Sequence, residues 1–119
     1  MAFQRRLGKA GEDAAAAWYE SRGYEVVARN WSCRAGELDI VARRGRLVVF
    51  CEVKARTSGA FGLPVEAVGA LKQARVRRLA ALWFADQASG RRLGAGGGPV
   101  RFDVASILSG RVEVVEAAF

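Results

Sequence analysis

The stretch "GELDIVARRGRLVVFCEVKAR", residues 36–56, decides how the fold is read. Two apolar, β-branched runs flank Arg44-Gly45-Arg46, the pattern of two antiparallel strands joined by a tight turn. Away from the turn the same runs carry Glu37, Asp39, Glu52 and Lys54. Residues two apart on a strand share a face, so Glu37 goes with Asp39 and Glu52 with Lys54. A loop of even length brings all four to one side. If the loop is Gly45-Arg46, Asp39 faces Glu52 and Glu37 faces Lys54; if it is Arg44-Gly45, Glu37 faces Glu52. Packing selects the even loop: one face then carries Leu38, Ile40, Ala42, Val49, Cys51 and Val53 without a charge. A slip by one would put charges on both faces.

The expectation is therefore three carboxylates crowded at one end of a sheet. Like charges held together with water partly excluded repel strongly. One acid can keep its proton, basic side chains can neutralise the group, or a divalent cation can sit between the oxygens. Oxygen ligands with no histidine nearby favour magnesium or manganese over zinc. The plainer alternative is a salt-bridged sheet edge with Lys54, Arg34 and Arg56 as partners.

Working outward, residues 3 to about 22 read as a helix, with Leu7, Ala10, Ala14 and Trp18 at helical spacing and Gly23 as its stop. "YEVVARN" reads as a strand that closes in a loop around Asn30 to Ala35. From Pro64 to about Gln87 the pattern is helical, with Val76, Leu79, Leu82 and Trp83 as its apolar stripe. A glycine-rich loop, flexible by composition, covers about 89–99. "VRFDVASIL" and "RVEVVEAA", parted by Ser109-Gly110, read as two last strands. The order α-β-β-β-α-β-β describes one α/β domain over 1–119, with a mixed sheet of about five strands flanked by helices.

Composition bounds the function. Nineteen lysines and arginines against twelve acids give a net charge of +7. Such a surface suits an anionic partner, nucleic acid before acidic membrane, although an ordinary arginine-rich surface would show the same excess. Two cysteines and no histidine exclude a four-ligand zinc site and histidine-based catalysis. The N-terminus has no apolar signal region and no stretch is long enough to span a bilayer, so a soluble cytoplasmic protein is the expectation.

Asp39 followed by Glu52-Val53-Lys54 resembles the PD-(D/E)XK signature of restriction-endonuclease-like nucleases. "GKAGEDAAAAWYESRGYEVVARNWSCRAGELDIVARRGRLVVFCEVKAR", with Lys72 and the late "VRFDV", resembles the YraN-like family of small bacterial proteins along almost the whole chain. That family is similar in fold to the archaeal Holliday-junction resolvases. The resemblance implies a metal-dependent endonuclease acting on DNA, including branched or structured DNA, with Mg²⁺ or Mn²⁺ as cofactor. The alternative is a nucleic-acid-binding module with a nuclease fold that does not cut, or a subunit active only in a complex. By the resemblance, Asp39 and Glu52 hold the metal with the backbone carbonyl of Val53, and Lys54 orients the attacking water. Glu12 matches the acid that the resolvase-like branch adds. A homodimer is also implied. Leu38 stands where the signature has proline, a position that is not a ligand.

Counter-charges for a phosphate backbone are available in Arg34, in Arg43, Arg44 and Arg46 around the turn, in Arg56, and in Lys72 and Arg75 on the second helix. Trp31 and Phe61, in expected loops, are candidates for stacking on bases, with ordinary packing the plainer use. For Asp103 a structural salt bridge with Arg101 or another arginine is expected.

Overall fold

In the computed structural model the described residues are 2–56, 69–90 and 98–119, with side chains described for 8–55, 69–87 and 98–119. The order is α1 (Ala2–Glu20), β1 (Glu25–Cys33), β2 (Gly36–Arg44), β3 (Leu47–Arg56), α2 (Ala70–Gly90), β4 (Val100–Leu108) and β5 (Arg111–Val115). This is the α-β-β-β-α-β-β succession expected. The strands lie side by side in chain order in one sheet. β3 and β4 run parallel and every other neighbouring pair antiparallel, as a crossover through α2 requires.

The hairpin register answers the opening question. Arg44 pairs with Leu47, Val41 with Phe50 and Ile40 with Cys51. The loop is Gly45-Arg46, and Gly45 takes the positive φ (+60°) that a two-residue turn demands. The β4–β5 turn uses Ser109 and Gly110, both at positive φ.

A helix covers each face of the sheet. On one side Ala15, Ala16 and Tyr19 of α1 pack on Ile40, Ala42, Val49, Cys51, Ala105 and Ile107. On the other, Val76, Leu79, Ala80 and Trp83 of α2 pack on Leu38, Val41, Val48, Phe50 and Phe102. With both faces covered, β3 is apolar on both sides up to Cys51, as a central strand must be. No described helix is long and apolar enough to cross a membrane.

Four expectations need correction. The buried face of α1 runs through Gly11, Ala15 and Tyr19, one position round from the expected stripe, and Ala10 is exposed. In so alanine-rich a helix hydrophobicity hardly distinguishes faces, and the Tyr19 hydroxyl, which finds Asp103, decides the rotation. On α2 it is Ala80 that is buried, while Leu82 is partly exposed. β1 does not end at Asn30 but continues to Cys33, opposite Gly36; Trp31 therefore lies on a strand, packed against the α2-side core. Finally, Leu38 belongs with Val41 and Phe50, not with Ile40. Strict alternation fails around Asp39, where the β2–β3 ladder ends. The expected helix start at Pro64, Phe61 and most of the glycine-rich loop lie outside the described residues.

The α1 end is closed as Gly23 suggests. Tyr24 N–H donates to the Tyr19 carbonyl (3.1 Å) and Gly23 N–H to that of Glu20 (3.1 Å), with Gly23 at φ +84°. This is the paired closure that glycine permits at a helix C-terminus.

Candidate active site

The site forms where β2 and β3 part. Beyond the Ile40–Cys51 pair the Val53 N–H donates to Asp39 Oδ2 (2.9 Å). A side chain thus takes the place of the ladder bond and draws the carboxylate over β3. Glu52, on the α2 face of that strand, is buried at 3% exposure. Lys72, in the first turn of α2, reaches down to it, with Nζ 3.1 Å from Oε1. Lys54 is half-buried beside them, its ammonium close to that of Lys72. Two acids and two lysines from β2, β3 and α2 therefore meet in one place.

Their electrostatics are those of a desolvated cluster. Burial, and then the Glu52 charge, push the Asp39 carboxyl up to about 6, against the Val53 hydrogen bond and the two lysines. Burial, and then Lys72, lower the Lys54 ammonium. For Lys72 burial also acts downward, but the Lys54 contact and the Glu52 and Asp39 charges outweigh it and raise its pKa. Lys72 thus holds the firmer positive charge and Lys54 is the readier proton acceptor.

Not every expected residue joins. Glu37 is exposed, opposite Ser32 of β1, so the carboxylates that meet are two and not three. Among the described residues no group of three or more histidine, cysteine or acidic side chains gathers as a metal site. Glu12 lies at the α1–β1 side, where Arg29 Nε (3.1 Å) and Asn30 Nδ2 (2.8 Å) both donate to its Oε1. Arg29 also binds Asp13. Glu12, Arg29 and Asn30 line an open cavity of about 610 Å³ with Gly8 and Lys9. Since Arg29 pairs with Ile40 and Trp31 with Leu38, Asn30 stands across from Asp39, one strand away.

The turn arginines lie elsewhere. Arg44 is five residues from Asp39, ~17 Å along an extended strand. Arg43 pairs with Glu25 (3.1 Å), and Arg44 donates to the Arg22 carbonyl and covers the Tyr24 ring. Arg46 sits in the turn itself, equally far from the acids. Arg34 is exposed in the β1–β2 turn and Arg75 exposed on α2; the Arg56 side chain lies outside the described residues.

Asp103 is structural, as expected, and better satisfied than one salt bridge. It is fully buried and accepts from Arg101 Nε and Nη2 (2.8 and 2.9 Å), Tyr19 Oη (2.6 Å) and Ala117 N (3.0 Å). Four donors meet the requirement for burying a carboxylate.

The family model described as Uncharacterised protein family UPF0102 matches residues 11–107. The chain belongs to that family. A UPF0102 protein of Beutenbergia cavernae is 51% identical over 111 residues, covering 93% of this chain and 89% of the relative. A UPF0102 protein of a Parafrankia strain is 44% identical over 124 residues, covering all of both chains. One from Symbiobacterium thermophilum is 43% identical over 122 residues, covering 98% of each. UPF0102 membership agrees with the YraN-like resemblance seen in the sequence.

Proposed function

We propose that this UPF0102 protein is a Mg²⁺- or Mn²⁺-dependent endonuclease hydrolysing phosphodiester bonds of DNA, branched or structured DNA included. The observation that carries this reading is the meeting of half-buried Asp39 with buried Glu52 beside Lys54, in a chain of net charge +7. Asp39 lies on β2 and Glu52-Val53-Lys54 on β3, in keeping with the resemblance to the PD-(D/E)XK signature.

The donor set suits a hard dication. Asp39 and Glu52 offer oxygen alone, and burial followed by the Glu52 charge raises the Asp39 carboxyl to about 6 although two lysines stand close by. Asp39 and Glu52 would hold the ion, with the Val53 carbonyl as a further oxygen. When bound, the ion supplies shielding for the negative charge that builds on phosphorus and makes water acidic enough to attack at neutral pH.

The chain's own residues supply the rest. The Val53 N–H fixes the Asp39 carboxylate in place before anything binds. Lys54, its pKa lowered, takes up or returns a proton of the attacking water closer to neutrality than an ordinary lysine does. Lys72 and Arg75, successive turns of α2, offer cations to a phosphate backbone passing over the acids. The Lys72–Glu52 ion pair favours a second reading, a module that binds nucleic acid without cutting, because it neutralises Glu52 without an ion.

The test compares wild type with Glu52→Gln on linear, single-stranded and four-way-junction DNA in Mg²⁺ or Mn²⁺. Cleavage that needs the ion and is lost in the variant supports the enzyme. Equal binding by both chains without cleavage supports the module. Neither binding nor cleavage contradicts both.

A further inference from the structure

Lys72 raises a question that the proposed reaction leaves open. Its ammonium is 3.1 Å from Glu52 Oε1, and the Glu52 side chain is only 5% exposed while that of Lys72 is 37% exposed. One partner is therefore fixed inside the sheet and the other sits at the rim on a long stem. Glu52 lies in the middle of β3, hydrogen-bonded into the sheet on the β4 side opposite Val104. Lys72 comes from the first turn of α2, two residues into the helix, and its four-carbon stem can swing without moving the helix. The same ammonium also touches Lys54, an arrangement of two cations tolerated only because the acids lie beside them.

We infer that Lys72 is a built-in counter-ion that occupies the place of the dication and leaves Glu52 when the ion arrives. The inference rests on the metal-dependent reading of the site. A buried carboxylate left without a cation is costly, and Lys72 is the cation that Glu52 has within the chain itself. A dication at Asp39 and Glu52 would meet an ammonium within hydrogen-bond distance of one of its ligands, and the like charges repel. Ion binding must then displace Lys72, and the ion's apparent affinity is reduced by the strength of the contact it breaks. Displaced, the ammonium lies on the rim of the acid pair, placed for a phosphate oxygen. The site thereby discriminates against monovalent ions, which do not repay the broken pair, and loads tightly only with a dication.

Isothermal calorimetry of Mn²⁺ binding without DNA tests the exchange, using wild type, Lys72→Ala, Lys72→Gln, and Arg111→Ala as a control that removes an equal charge from β5. Circular dichroism and melting in EDTA establish that each chain is folded; Lys72→Gln keeps a hydrogen-bonding side chain should the alanine variant not fold. The expected result is a Kd for Mn²⁺ about tenfold tighter in Lys72→Ala and Lys72→Gln, with Arg111→Ala little changed. An unchanged or weaker affinity in both Lys72 variants, with wild type still binding, overturns the exchange and leaves the metal site intact. If no chain binds Mn²⁺, the exchange and the metal-dependent reading fall together.

Discussion

The backbone N–H of Val53 donates to the carboxylate of Asp39 at 2.9 Å, tying β2 to β3 just past the last ladder pair. The bond brings an acid from one strand beside the buried acid of the next, and burial together with the Glu52 charge makes Asp39 reluctant to ionise. From this relationship follow expectations for stability as well as for chemistry.

Stability should respond to Asp39 in a pH-dependent way. A carboxyl raised from 3.8 to about 6 stabilises the fold fully below 3.8, and that contribution is lost as pH rises through about 6. In EDTA, Asp39→Asn should therefore gain ~2 kcal/mol on wild type between about pH 4 and about pH 7.5, allowing for partial screening. Urea unfolding of both chains at the two pH values measures it. A constant difference would show that Asp39 does not titrate in this window.

Asp103 should matter to the fold and not to the reaction. Tyr19→Phe removes the 2.6 Å donor from a fully buried carboxylate and should cost ~2 kcal/mol. Asp103→Ala, which leaves Arg101 without its bidentate partner, should cost ~4 kcal/mol. Chemical denaturation reads both, and whatever folds should bind Mn²⁺ as wild type does.

Gly36 should resist substitution. Its φ of +144° is one that side chains rarely adopt, and an added Cβ would lie 3.4 Å from Leu79 Cδ1. Gly36→Ala should cost ~1–3 kcal/mol, read as a lower unfolding midpoint. The glycine opens β2 under α2, three residues before Asp39, so a shift there should also weaken Mn²⁺ binding.

Lys54→Ala should lower cleavage by ~100-fold or more while leaving four-way-junction binding within a few-fold of wild type. A matching loss of binding would instead make Lys54 a phosphate contact.

The hairpin was legible because its charges and its apolar residues agree on one register; only Gly45-Arg46 or its even neighbour keeps Ile40, Ala42, Val49 and Cys51 together. The order of elements followed from glycine stops and apolar periods. Irregularity was hidden. Nothing local in "GELDI" announces that alternation fails at Asp39, because the cause is the Val53 hydrogen bond from another strand. Glu37 reads like Asp39 in sequence but ends exposed beside β1, and Glu12 is claimed by Arg29 and Asn30. The Lys72–Glu52 contact depends on how α2 lies across the sheet, so sequence marked Lys72 as a phosphate contact and missed its pairing. The one available signal was an acid on the central strand in need of a cation, with a lysine on the next helix.

Thermal melting in millimolar Mn²⁺ tests the central claim most directly, since a ligand that binds only the folded chain must raise its midpoint. Wild type should rise by several degrees over the EDTA value, and Asp39→Asn should show no rise. An unchanged wild-type midpoint, or an equal rise in the variant, would contradict a dication site built on Asp39 and Glu52.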